Sequence, residues 1–195
     1  MLNLLSMAAS MSGGAPPPPA ITWNPSDKDA GITLSNGDLS AGWNAGARPG
    51  AGATYPKTTG AWYFELFVDN WGGAFSWLSI GISPPGTARN VDLGQNADCF
   101  GYAAQGAKYF DGSFGGYVWA SYTTNDVIGC AFDLDNNTIE FFKNNTSQGQ
   151  VSVSFDQASY APAITMSNTG TLATLRTLTA EFTYTPPTGF TPLGE

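Results

Sequence analysis

The chain has 195 residues, a formal net charge of −8 and no histidine, and this length suits one domain of ordinary size with a short extension. The acidic balance repels a phosphate backbone and the seven Lys and Arg residues form no basic run, so we expect no nucleic-acid partner. No apolar run approaches the roughly 20 residues that span a bilayer. The first apolar stretch, "MLNLLSMAASM", lacks the basic residues of a signal peptide. We expect a protein made in the cytoplasm, without membrane insertion.

The first 20 residues differ in composition from the rest of the chain. An apolar segment is followed by "SMSGGA" and by four consecutive prolines at 16–19, which favour an extended polyproline II spacer. The apolar segment is too short for a stable helix in water, so we expect it to be ordered only against a partner. The sequence predicts an anchoring arm over 1–20 and a folded domain over 21–195. The residues expected to anchor the arm are Leu2, Leu4, Leu5 and Met7.

From Ile21 onward, short apolar runs alternate with turn residues, which is typical of an all-β sandwich or barrel. In "AWYFELFVD" the residues Trp62, Phe64, Leu66 and Val68 occupy alternate positions, and this period of two predicts a well-buried strand. A second strand, "SWLSIGIS", ends before two prolines, which cannot donate to a β-ladder. Further strands are predicted at "VSVSF", "YAPAITM" and "LTAEF".

The stretch "DVIGCAFDLDNNTIEFFKNN", residues 126–145, predicts a hairpin. Apolar residues alternate on both sides of "DNN", and Asp and Asn are common turn residues because they tolerate left-handed backbone conformations. The segment "DLDNN" also resembles part of a calcium loop, but it lacks that motif's sixth-position glycine and twelfth-position glutamate. We therefore interpret it as a turn.

The residues that usually carry catalysis or hold metals are scarce. Histidine is the commonest general base and metal ligand, and the chain has none. Cys99 and Cys130 are too few for a cysteine-rich zinc site and are interpreted as small buried side chains. Acidic residues such as Asp98, Asp111 and Glu140 are interpreted as solvated turn residues rather than a catalytic pair. We expect no enzyme activity, no cofactor and no metal.

Two loops contain more aromatic side chains than a simple connection needs: "NWGGAFSW" over 70–77 and "DGSFGGYVWASY" over 111–122. Rigid aromatic anchors among small polar residues are typical of recognition loops. The alternative is that half of them, Trp77 and Trp119 first, point into the core. The residues expected to contact a ligand are Tyr55, Trp71, Phe75, Phe114, Tyr117 and Tyr122.

Several segments, in order and spacing, resemble the SPRY domain, which is the core of B30.2 modules. They are "AWYFELFV", "SIGIS", "CFGYAAQGAKYFDG", "DVIGCAFDLDNNTIEFFKN", "YAPAITMS", "AEF" and "PPTGF". The resemblance implies a bent sandwich of two antiparallel sheets, a concanavalin-like jelly roll, with a loop surface at one end that binds proteins or peptides. It also implies that the arginine before the family's first long strand corresponds to Arg48.

These observations lead to three functional hypotheses. The first is a non-enzymatic structural protein of a bacteriophage particle, of the decoration, fibre or adhesin type, located in the virion. Its arm contacts other virion proteins in a homo-oligomer or larger assembly, and its domain contacts a host-surface protein or glycan. The alternatives are an intracellular adaptor that binds proteins through its SPRY surface, and a lectin-like carbohydrate-binding module.

Overall fold

The structure is a computed structural model that describes residues 19–73 and 77–195. No helix in this part of the chain is long and apolar enough to cross a membrane. Apart from one 3-10 helix over Thr179–Glu181, its regular elements are strands. These are β1 (Trp23–Lys28), β2 (Ile32–Ser35), β3 (Ser40–Trp43), β4 (Gly50–Ala53), β5 (Ala61–Asn70), β6 (Leu78–Ser83), β7 (Phe100–Ala103), β8 (Ala107–Phe110), β9 (Ser113–Tyr117), β10 (Val127–Asp133), β11 (Thr138–Lys143), β12 (Thr146–Ser152), β13 (Ala161–Met166), β14 (Leu172–Arg176) and β15 (Thr191–Pro192).

The strands form two sheets that share one apolar core. The first sheet has the order β1-β4-β13-β6-β7-β8-β9, and the second has the order β12-β11-β10-β5-β14-β3-β2, with β15 added beside β5. Buried side chains such as Phe64 of the second sheet and Ile80 of the first belong to the same core cluster. The predicted all-β sandwich of two antiparallel sheets is confirmed, and among the strands of 19–73 and 77–195 only β15 pairs in parallel.

The predicted hairpin is confirmed as β10 and β11. Phe132 lies opposite Ile139 in this pair, and both are buried. In the turn, the carboxylate of Asp133 accepts hydrogen bonds from the backbone N–H groups of Asp135 and Asn136, both at 3.0 Å. Asn137 has a φ of 55°, in the left-handed region that asparagine tolerates. The Asp133 carboxylate therefore stabilises the turn.

The segment "LTAEF", predicted as a strand, instead contains the 3-10 helix. The Glu181 carboxylate accepts hydrogen bonds from the backbone N–H groups of Thr177 and Leu178, at 2.9 and 3.2 Å. These local bonds hold the chain in a turn and compete with strand pairing. The strand lies just before it, at Leu172–Arg176, and pairs with β5.

The loop over 84–99, which we call the crossing loop, lies against the outer face of the first sheet. Leu93 N donates to Thr165 Oγ1 at 3.0 Å. A Cβ atom on Gly101 would lie only 2.3 Å from the Leu93 carbonyl oxygen, so the approach requires a glycine beneath the loop. Small side chains on this face allow the loop to pack directly on the strands.

Arg89 fastens the crossing loop to the first strand. Its Nε and Nη2 atoms donate to the two carboxylate oxygens of Asp27, at 3.0 and 2.6 Å, and its Nη1 donates to Ser83 Oγ at 2.7 Å. Burial acts to raise the pKa of Asp27, but hydrogen bonds from Arg89 and Gly86 and the Arg89 charge outweigh it and lower that pKa. A two-pronged contact of this kind fixes both position and orientation.

Candidate functional site

A continuous row of side chains lies beside the crossing loop, and we call it the aromatic ridge. Its members are Arg48, Trp77, Tyr109, Phe114 and Tyr117. Arg48 Cζ lies 5.0 Å from the Trp77 ring centroid, and the Trp77 and Tyr109 centroids are 5.6 Å apart. Centroid distances of 5.0 and 5.3 Å then join Tyr109 to Phe114 and Phe114 to Tyr117. These distances are typical of interacting rings, so the row is a connected surface with a cation at one end.

The order of the strands brings the ridge together from distant parts of the sequence. Its members lie just before β4 and β6 or within β8 and β9, and these four strands all belong to the first sheet. Tyr109 is opposite Phe114 on one side and opposite Gly101 on the other. Since paired residues project from the same face of a sheet, these aromatic rings share the outer face with the crossing loop.

The charged end of the ridge is an ion pair of unequal exposure. Arg48 Nη1 lies 3.0 Å from Asp92 Oδ1, and the Arg48 side chain is 37% exposed whereas that of Asp92 is 6% exposed. Burial raises the pKa of Asp92, and the charge of Arg48 opposes that rise. Arg48 therefore neutralises a buried carboxylate, stacks on Trp77 and still has surface available to a ligand.

The aromatic end of the ridge is open to solvent. Phe114 is 52% exposed and Tyr117 is 65% exposed, and the neighbouring Val118 is 61% exposed. Contiguous exposed apolar side chains are a feature of interaction sites. Ring contacts hold Phe114 against Tyr109 and Tyr117, so the exposed surface is largely ordered before a ligand arrives.

Three of the predicted ligand residues, Arg48, Phe114 and Tyr117, are brought together by the structure. Sequence reasoning missed Tyr109 and left Trp77 out of the ligand residues, as one of the first candidates to point into the core. The direction of the first side chain of β6 indicates where Trp77 lies. Leu78, the residue after Trp77, is fully buried with its side chain in the core. Adjacent residues of a strand point to opposite faces, which places Trp77 outside.

Tyr122 was predicted to contact a ligand, but the structure places it in the core. Only 2% of its surface is exposed, and its ring centroid lies 4.9 Å from that of Tyr102. Its hydroxyl donates toward the carbonyl oxygens of Leu78 and Tyr102, each at 2.9 Å. These partners inside the sandwich satisfy the one polar group of the ring, and burial raises its pKa well above the ordinary value.

The remaining predicted residues lie apart from the ridge or outside the described residues. Tyr55 is 52% exposed, but it lines a separate cavity of about 140 Å³ with Lys57 and the C-terminal residues. Trp71 is partly buried against the core. Phe75 and the arm residues Leu2, Leu4, Leu5 and Met7 fall outside 19–73 and 77–195, so their predicted roles stay predictions.

The described residues contain no group of three or more His, Cys, Asp or Glu side chains that could hold a metal ion. Both cysteines are free and buried. Burial raises the pKa of Cys99 to about 11 and that of Cys130 well above its ordinary value. Thiols with raised pKa values are poor nucleophiles at neutral pH, so these two side chains are suited to packing.

Comparison with known proteins agrees with this architecture. The family model for the SPRY domain matches residues 61–178, and the chain therefore belongs to the SPRY domain family. Ran-binding protein 9 of Xenopus laevis is 30% identical over 140 residues, which is 68% of this chain and 25% of that protein. The human Ran-binding protein 9 is 32% identical over 136 residues, or 66% of this chain and 18% of that protein. The chain thus spans a quarter or less of the length of these relatives.

Solved structures show the same fold at lower sequence identity. The SPRY domain of human HERC1 superposes with a TM-score of 0.68 at 21% identity, covering 79% of this chain and 96% of that domain. Stonustoxin superposes with a TM-score of 0.63 at 19% identity, covering 80% of this chain and 26% of the toxin. SPRY is a protein-interaction fold, so the family and the exposed ridge point to the same kind of function.

Proposed function

We propose that this chain is a non-enzymatic binding protein that captures a segment of another protein on the aromatic ridge. The observation that carries the proposal is the exposure of Phe114 and Tyr117 at the end of an ordered row that begins at Arg48. Aromatic and arginine side chains dominate binding energy at many interfaces, and aromatic rings bury a large area with few rotatable bonds. The SPRY family membership supports this reading.

The two ends of the ridge recognise different chemistry. A partner's apolar side chain displaces water from Phe114 and Tyr117, which stabilises the complex in proportion to the apolar area buried. Arg48 pairs with Asp92 through Nη1 and offers its other N–H groups to a carbonyl or carboxylate oxygen. The ridge contains no nucleophile paired with a base, so its chemistry is suited to binding.

A comparison of one double variant with a single-substitution control in a retention experiment tests this proposal. The immobilised full chain is incubated with host-cell extract, and retained proteins are identified by mass spectrometry. We expect Phe114→Ser with Tyr117→Ser to lose a retained protein that the unmodified chain keeps. Tyr55→Ser is the matched control, because Tyr55 is similarly exposed but lies elsewhere. Equal retention by the ridge variant and the control would show that the ridge is not the binding site.

For the biological setting, we propose a bacteriophage particle in which arm 1–20 is the anchor. The support is compositional: an uncharged apolar segment, a run of four prolines and a Gly-rich acidic domain with few charges. Deleting residues 1–12 should remove the protein from purified particles while leaving binding by the ridge intact. Normal incorporation of the shortened chain would contradict the anchoring role.

A second setting, an intracellular adaptor, is favoured by the similarity to Ran-binding protein 9. The adaptor setting predicts the same ridge-dependent retention, but it also predicts that this chain is absent from purified virus particles.

A lectin-like function rests on the same exposed rings, since sugar rings also stack on aromatic faces. Saturable, ridge-dependent binding on a glycan array, with no protein retained, would favour it over both other settings.

A further inference from the structure

A second concave site lies at the open side of the sandwich, between the ends of the two sheets. It is a cleft of about 350 Å³ lined by residues of β7, β8, β9 and β12, by Asp111 in the turn between β8 and β9, and by the residues that follow β12. Lys108 and Phe110 line the cleft, whereas Tyr109 belongs to the ridge. Because adjacent side chains of a strand point to opposite faces, the cleft and the ridge use opposite faces of the β8–β9 hairpin.

The walls of the cleft are formed by strands that end their sheets. β9 is the last strand of the first sheet and β12 is the last strand of the second. The loop after β9 is tied to β12 where Ala120 N donates to Gln148 Oε1 at 2.8 Å. A terminal strand presents backbone N–H and C=O groups that no further strand uses, and an extended peptide can pair with them.

The floor of the cleft is apolar. The rings of Phe100 and Phe110 contact each other edge to face at a centroid distance of 5.3 Å, and Val151 and Val153 pack against the core from the other sheet. All four line the cleft. An apolar side chain that enters between the sheets therefore leaves water and contacts the existing core.

The cleft carries one cation, Lys108, and one carboxylate, Asp111. Asp111 Oδ1 accepts the Asp98 N–H at 2.9 Å, and no ion pair joins Asp111 to Lys108 among the described residues. Lys108 Nζ lies 5.5 Å from the Phe110 ring centroid. A Cβ on Gly115 would lie 2.4 Å from Lys108 Cε, so the glycine leaves room for the lysine stem. Four of the seven cations pair with carboxylates in the described part of the chain, namely Arg48, Arg89, Lys143 and Arg176. Lys28, Lys57 and Lys108 have no such ion pair there, and of these three only Lys108 lines the cleft.

We infer that this cleft binds an extended segment of a partner protein that presents an apolar side chain beside an Asp or Glu. The apolar side chain occupies the space between Phe110 and Val153, the carboxylate pairs with Lys108, and the backbone of the segment lies along an unpaired strand edge. Residues 1–20 of this chain contain no acidic side chain, so the arm lacks the charge that Lys108 selects. This site is separate from the ridge and does not depend on the function proposed for it.

Peptide titrations of the isotopically labelled full chain test the inference by NMR. The probes are four capped pentapeptides, acetyl-Ser-X-Glu-Thr-Ser-amide with Val, Leu, Ile or Phe at X, and the same four with Gln in place of Glu. We expect the amide signals of Ser113, Gly115 and 151–153 to shift saturably. We expect about fivefold tighter binding of the Glu peptides, as for an exposed ion pair.

Charge reversal identifies the cation responsible. Lys108→Glu should remove the preference for Glu over Gln, and peptides with Lys at that position should then bind more tightly than the Glu peptides. Lys57→Glu is the matched control, because Lys57 also lies over an aromatic ring, 3.9 Å from the Trp62 centroid, but outside the cleft. It should leave the preference unchanged.

Four results would overturn the inference. These are no saturable shift from any of the eight peptides, equal affinity for Glu and Gln peptides, shifts confined to the ridge, or loss of the preference in Lys57→Glu. Binding of 3-phenylpropionate as tight as that of the best peptide would assign the cleft to small organic acids instead. A dimer in sedimentation experiments that Lys108→Glu dissociates would assign it to a second copy of this chain.

Discussion

The carboxylate of Glu65 lies directly against the backbone of Thr183, and its Oε2 accepts the Thr183 N–H at 2.8 Å. Oε1 accepts hydrogen bonds from Tyr184 N at 2.9 Å and from the Tyr63 hydroxyl at 3.2 Å. Glu65 is fully buried, and Arg176 Nη1 lies 3.8 Å from it. Glu65 therefore attaches the segment after the 3-10 helix to the outer face of the second sheet.

Replacing Glu65 with Gln should destabilise the protein by about 2–3 kcal/mol, because the amide NH₂ group would face backbone N–H donors in a buried site. Denaturant unfolding followed by tryptophan fluorescence measures the change. Asp156→Asn is the control, since Asp156 is exposed and such changes usually stay within about 0.5 kcal/mol. Equal effects of the two substitutions would mean that Glu65 does not hold the segment.

Asp27→Asn should produce a pH-dependent loss of stability. Although burial opposes it, pairing with Arg89 and Gly86 N lowers the folded-state pKa of Asp27. The resulting stabilisation is therefore complete above the unfolded-state pKa, about 3.9, and is lost as the pH falls through the lower folded-state value. The difference in unfolding free energy between the two proteins should be constant above about pH 5 and shrink below about pH 4. A difference independent of pH down to pH 2 would argue against this role.

Phe132→Ala should cost about 3–5 kcal/mol, because it leaves a cavity in the core where the Phe132 ring lies 6.3 Å from that of Phe64. Asn137→Ala should cost far less, about 1 kcal/mol, since it affects one exposed left-handed turn position. Chemical denaturation measures both. Small and equal effects would show that the β10–β11 hairpin is not central to the fold.

Tyr122→Phe should lower stability by about 1–2 kcal/mol, since the buried hydroxyl that donates toward the carbonyl oxygens of Leu78 and Tyr102 is lost. Tyr117→Phe is the matched control on the exposed ridge and should leave thermal stability nearly unchanged. If Tyr117→Phe proves the more destabilising change, the assignment of Tyr122 to the core and Tyr117 to the surface is wrong.

A chain that begins at Ala20 should fold with the stability of the full chain. The first strand begins at Trp23, and the buried core of the described residues begins at Ile21. Thermal melts followed by circular dichroism compare the two chains. Aggregation of the shorter chain beside a stable full chain would place the domain boundary before residue 20.

Local patterns predicted the elements that local forces specify. The alternation in "AWYFELFVD" predicted strand β5, and the turn residues after Asp133 predicted the β10–β11 hairpin, because side chains alternate in any strand and Asp and Asn stabilise turns. The same rule was wrong for "LTAEF". There the Glu181 carboxylate bonds to nearby backbone N–H groups, an interaction that a two-residue period does not reveal.

Sequence also indicated which residue types form the site, but not which of them meet. Arg48, Phe114 and Tyr117 were predicted from the aromatic loops and the family resemblance. Their connection through Trp77 and Tyr109 depends on the order of strands in the first sheet, which joins residues more than 60 positions apart. No local pattern encodes such an order.

By itself, the sequence determined an acidic all-β protein that lacks histidine and has one strong hairpin, since composition and periodicity are local properties. Only the tertiary structure decided that Tyr122 is buried while Tyr117 is exposed, that Trp77 lies outside the sandwich, and that Glu65 is covered by the C-terminal segment. Each of these depends on which distant strand or loop covers a face. An aromatic ring is equally suited to a core and to a binding surface, so its neighbours in space decide its role.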